Sequence, residues 1–185
     1  MQYIFDKAWL LALEIRFGTV SEIREVGLPG RPKMLVYYFA DLPQNGMTTA
    51  ITSGLSSAEH PDWKFGRPEL MITMKSSDHL WGKAIGYFAS AYAGDKPFSY
   101  GDRFKLDFPI SGESDMNACF VFQPSFLPDD EKKFVLTDRT IFLAAMIPLY
   151  EDEIETFGKM GSKEFIISNA IDFTDPKREH VAVTA

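Results

Sequence analysis

Hydrophobic positions along the chain switch repeatedly between a helical period and a strand period. Phe5, Trp9, Leu13 and Phe17 recur every four residues, with Ala12 and Arg16 alongside, which predicts a helix over 5–17 that Gly18 ends. Ser21 to Val26 alternates weakly and predicts a first strand, closed by Gly27-Leu28-Pro29-Gly30. Met34 to Phe39 is short, apolar and aromatic, the composition of a half-buried pleated surface, so it predicts a strand. Turn chemistry follows at Leu42 to Gly46, then a β-branched strand at Thr48 to Ser53. A polar loop over Ser56 to Gly66 leads to a strand at Leu70 to Met74.

The clearest helix comes next. Ser77 or Asp78 is its N-cap, Leu80, Trp81, Ala84, Ile85, Phe88, Ala89 and Tyr92 form its apolar stripe, and Gly94 ends it. Gly82 and Gly86 lie one turn apart inside it and predict a close approach by another element. Strands are expected over Arg103 to Phe108, Ala118 to Phe122 and Thr140 to Ile147. Pro148-Leu149 reads as the opening of a helix that Gly158 and Gly161 end, with a short helix over about 162–170 behind it. About six strands and about four helices without strict alternation predict an α+β (mixed α/β) domain with a mixed, mainly antiparallel sheet.

At 185 residues the chain suits one domain over 1–185. Hydrophobic residues at 45% and charged residues at 24% exclude disorder and repeats of the collagen type. The net charge of −7 comes without any unmixed Lys/Arg cluster, which argues against phosphate-backbone binding and so against nucleic acid. Such a surface steers basic partners, and it equally serves solubility. The single cysteine, Cys119, cannot form an internal bridge and sits in an apolar run where free cysteine packs as a small hydrophobe. The N-terminus has no basic stretch before an apolar one, and no apolar run approaches the ~20 residues of a membrane span, so a cytoplasmic setting is expected.

Chemistry is sparse. His60, His79 and His180 have no partner at metal-ligand spacing, no serine sits in a nucleophile elbow, and no glycines form a phosphate cradle. No metal or cofactor is expected. Two groups remain. Glu151, Asp152, Glu153 and Glu155 either bind a cation or basic partner or complement a helix dipole. The loop Glu59 to Phe65 carries Trp63 and Phe65 in a polar connection, where large aromatics either pack down or stand out as binding anchors.

Several segments, in order, resemble the suppressor-of-fused (SUFU) family. They are Ile51-Thr52-Ser53-Gly54-Leu55-Ser56, Gly66-Arg67-Pro68-Glu69-Leu70-Met71-Ile72, Trp81 with Phe88-Ala89, Tyr100-Gly101-Asp102, Phe108-Pro109-Ile110 and Ile147 to Ile154. The resemblance spans roughly 33–170 and is similar in length to the compact bacterial members. It implies a protein-binding domain. Animal members clamp an extended transcription-factor peptide, whereas bacterial members resemble immunity proteins of polymorphic toxin systems. Two positions depart from the family's peptide site: Ala50 replaces an aromatic residue and Ser57 an acidic one.

The expected function is a non-catalytic intracellular protein-binding module, an immunity protein or related partner that occludes another protein's surface, with a basic toxin as the candidate target. Its candidate contacts are Trp63 and Phe65 as apolar anchors, with Asp62, Glu151, Asp152 and Glu153 supplying charge. The alternatives are an enzyme of unrecognised class, with Cys119 or a histidine in a pocket, and a structural homodimer built on a sheet edge.

Overall fold

A computed structural model describes residues 5–167 and 171–181. Eight strands make one sheet: β1 (Glu22–Val26), β2 (Met34–Ala40), β3 (Thr48–Ser53), β4 (Arg67–Met74), β5 (Arg103–Lys105), β6 (Ala118–Phe122), β7 (Lys133–Val135) and β8 (Thr140–Leu149). Their order is β1-β2-β3-β4-β8-β6-β5, with β7 also paired to β8. The first four form an antiparallel meander, and β8 joins it parallel to β4, with Arg67 opposite Ile141. The helices are α1 (Lys7–Phe17), α2 (Leu80–Tyr92), α3 (Glu153–Met160) and α4 (Ser162–Ile167). The α+β class and the mainly antiparallel sheet agree with the sequence reading, and the strand count is higher by two. The expected end of the last helix, 168–170, lies outside the described residues.

Alternation sorts side chains onto two faces. On one, Val36, Tyr38, Ala50, Ile72, Ala144, Met146 and Val121 bury against Trp81, Ile85 and Phe88 of α2. The two glycines of α2 permit that contact. A Cβ at Gly82 would come within 2.5 Å of the Tyr38 ring, and one at Gly86 within 2.8 Å of Val36. The opposite face carries Tyr37, Phe39, Ile51, Met71, Ile141 and Leu143 under Trp9 and Leu13 of α1, and Phe120 and Leu149 under Phe157 and Phe165 of α3 and α4.

The cap of α1 follows local chemistry. Asp6 Oδ1 accepts the Trp9 N–H at 2.9 Å and starts α1. The N-cap of α2 is His79 rather than Ser77 or Asp78, and it makes no side-chain cap bond, although Asp78 Oδ1 accepts the Leu80 N–H at 3.0 Å just ahead of it. Pro148 departs from expectation. It lies inside β8 opposite Cys119, and α3 begins five residues later at Glu153. The apolar pattern of β8 runs unbroken through Leu149, and burial on both faces overrides the local helix-start signal. Gly158 lies within α3, and Gly161 alone ends it. The strand expected to reach Phe108 stops at Lys105, leaving Phe108 exposed.

Candidate protein-binding surface

At the head of β4 a turn is held by a buried carboxylate. Glu69 has no exposed surface and accepts four hydrogen bonds: from Thr52 Oγ1 at 2.6 Å, Gly54 N at 3.0 Å, Ser56 N at 2.9 Å and Ser56 Oγ at 2.7 Å. Burial pushes its carboxyl pKa up, and the four donors pull the other way without cancelling it. Arg139 Nε donates to Ser56 Oγ at 3.1 Å while its Nη2 pairs with Asp6, and the Trp9 indole N–H donates to Thr52 O at 3.0 Å. The turn over Gly54 to Ser56 is therefore fixed from the sheet, from α1 and from the start of β8. Ala50, one of the two family departures, is buried opposite Ile72, and Ser57 is exposed just past the turn.

The loop leaving this turn presents the aromatics. Trp63 is half-buried against the α2-side core, its indole N–H donates to Pro97 O at 2.8 Å, and His60 lies against its ring. Phe65, two residues on, is 92% exposed. Trp63 is thus a base and Phe65 the projecting residue, a division the sequence left open. Between them runs a groove of about 290 Å³ bounded by Phe65, Gly66, Phe98, Tyr100 and Phe142. Tyr100 is 53% exposed and rests on Phe122. Partial burial holds its hydroxyl pKa above the usual value. Asp62 and Lys64 flank Trp63 in the chain, both exposed. Tyr100 and Phe142 escaped the sequence reading because they come from a turn and a strand distant in sequence.

The acidic group lies elsewhere. Gly66 meets Thr140 and Phe142 at the start of β8, whereas Glu151 to Glu153 follow its end. Ten residues of strand at about 3.3 Å each place the two groups roughly 30 Å apart, so they do not form one site. Within the acidic group the roles diverge. Glu151 is exposed and pairs with Lys105, whose hydrogen bond holds its pKa below the usual glutamate value. Asp152 is exposed and lies 3.0 Å from His180 Nδ1. Glu153 departs from the expected role of a charge offered to a partner. It is 1% exposed and bonded by both arms of Arg178, at 2.7 and 2.5 Å, with the N–H groups of Tyr150 and Val181 completing its shell. Its charge is satisfied internally, docking the C-terminal segment onto β8 and α3.

Cys119 is fully buried, and burial alone pushes its thiol pKa well above the usual range, so it is not an available nucleophile. Among the described residues no group of three or more His, Cys, Asp or Glu could hold a metal ion, and no helix is long and apolar enough to cross a membrane.

The fold and surface define a one-domain α+β protein whose salient feature is an aromatic residue projected from a braced loop. The chain belongs to the suppressor of fused family: residues 30–179 match the family model "Suppressor of fused protein (SUFU)". A SUFU homolog from Neisseria gonorrhoeae has the same fold, with a TM-score of 0.73 and 14% identity over 98% of both chains. A chain of a Sufu–Fu complex aligns with a TM-score of 0.62 and 14% identity, over 94% of this chain and 90% of that one. This fold thus occurs as one partner of a protein–protein complex. No curated protein matches the chain in sequence.

Proposed function

We propose that this chain is a non-catalytic protein-binding domain that works in the cytoplasm as an immunity-type neutraliser, covering the functional surface of a basic partner protein. The observation that carries the reading is Phe65. A phenylalanine 92% exposed on a loop anchored by Trp63 and the Glu69-braced turn is poised to bury on association, with little ordering left to offset. The groove beside it, edged by Tyr100 and Phe142, offers aromatic surface continuous with that anchor. The net charge of −7 favours a basic target and fast encounter at low salt. Ala50 and Ser57 stand where the family's peptide site has an aromatic and an acidic residue, so the aromatic loop is preferred here as the contact.

The test compares wild type with Phe65→Ala as tagged bait in native lysate, washed at low and then high salt. A stoichiometric basic protein retained by wild type, weakened at least ~10-fold by F65A and released by salt, supports the reading. Co-expression of that partner alone should then arrest growth, and adding this chain should relieve it. An empty column, or equal capture by F65A, would overturn the reading.

A further inference from the structure

We propose that β1 is a self-complementary edge that pairs two copies of this chain into one continuous sheet. Among the described residues β1 ends the strand order and has a partner on one side only, so one row of its backbone N–H and C=O groups faces outward. Glu22, Ile23, Arg24 and Glu25 are all exposed, and Ile23 is 44% exposed.

The faces restrict how two such edges can meet. Val26 belongs to the α2-side core, so Glu22 and Arg24 lie on that face, while Ile23, opposite Tyr37, and Glu25 lie on the other. Two identical edges pair antiparallel about a two-fold axis normal to the sheet, which keeps like faces together and puts one residue opposite its own copy. Centring on Glu22 or Glu25 sets acid against acid, and centring on Arg24 sets arginine against arginine. Centring on Ile23 sets isoleucine against isoleucine and places each Glu22 opposite the other copy's Arg24, twice. Within β1 only that register pairs opposite charges, and cross-strand pairs of this kind stabilise a sheet. Glu22 and Arg24 already lie 2.6 Å apart along the strand, so association would gather four alternating charges. The occupant of the edge is therefore a second copy. β2, β3 and β4 separate it from Phe65, so this inference is independent of the partner-binding reading.

The experiment is sedimentation equilibrium of the full chain across a concentration series into the millimolar range, for wild type, R24E, E22R and E22R/R24E. Wild type should show a monomer–dimer equilibrium. Either single swap, which sets like charges opposite at both outer pairs, should raise the dimer dissociation constant at least ~10-fold, and the double swap should restore it to within ~3-fold. Both residues are exposed, and circular dichroism should be unchanged in all four. A wild type that stays monomeric, or a dimer that R24E leaves intact, overturns the proposal.

Discussion

Removing the Glu69 side chain should be among the most damaging single changes in the protein, and the hydrogen-bond geometry says how damaging. Glu69→Ala strips the acceptor from two backbone N–H groups, Gly54 and Ser56, that cannot turn elsewhere, and from two hydroxyls that can rotate. Each of the two stranded donors costs about 1–3 kcal/mol, and the emptied volume adds about 1 kcal/mol more, so ~3–7 kcal/mol is expected. Glu69→Gln keeps the shape. Its carbonyl can serve the three donors that meet Oε1, leaving the amide NH₂ against Thr52 Oγ1, which already accepts the Leu70 N–H at 2.8 Å. One bond is lost, for ~1–2 kcal/mol. Urea unfolding of wild type, E69Q and E69A, with unchanged slopes, gives the comparison directly. Two equal losses, or an E69A loss under ~1 kcal/mol, would refute the reasoning. The pH dependence has a definite sign. Burial raises the folded-state pKa above the unfolded one, so the contribution of Glu69 is full below the ordinary glutamate value and is lost as pH rises through the folded value. The gap between wild type and E69Q should narrow over that rise.

Other outcomes follow from single contacts. Gly82→Ala drives a Cβ to 2.5 Å from the Tyr38 ring and should cost about 1–3 kcal/mol in thermal or chemical unfolding, less in a Tyr38→Ala background. Arg178→Met leaves the Glu153 carboxylate buried and unpaired and should cost ~3–5 kcal/mol, whereas E153Q/R178M together should cost less than R178M alone. Cys119 should react with a thiol reagent only through unfolding, so its labelling in native buffer should be negligible and should rise with urea across the unfolding transition.

Local pattern carried most of the framework. α1, α2, β2, β3 and β6 stood in the sequence within a residue or two of their ends, because each has an apolar period and a cap or turn residue beside it. β7 did not, since three residues after an acidic turn carry too little pattern, and its strand character comes from pairing with β8. Pro148 misled because its local preference yields to a buried strand. At the candidate surface, the aromatic pair was visible but its orientation was not. Trp63 turns inward because Pro97 O is there to receive its N–H, a contact thirty-four residues away. The acidic cluster divided for the same reason: Glu153 meets Arg178, twenty-five residues on. Non-local partners decided both.

The parallel joint between β4 and β8 bears on how the molecule comes into being. β4 has β3 on one side from the start, but its other neighbour is separated by α2, β5, β6 and β7. During synthesis the meander therefore emerges with the open flank of β4 unpaired, and the middle of the sheet is sealed only when β8 arrives. Closing so long a loop is slow, and an apolar flank left open in the interval is a template for the wrong neighbour. The strand that completes the core is thus also the one that ends the nascent chain's exposure to aggregation. Slow passage through β8, or its loss by truncation, should harm yield far more than equal damage at β1 or β5, which pair at the margins.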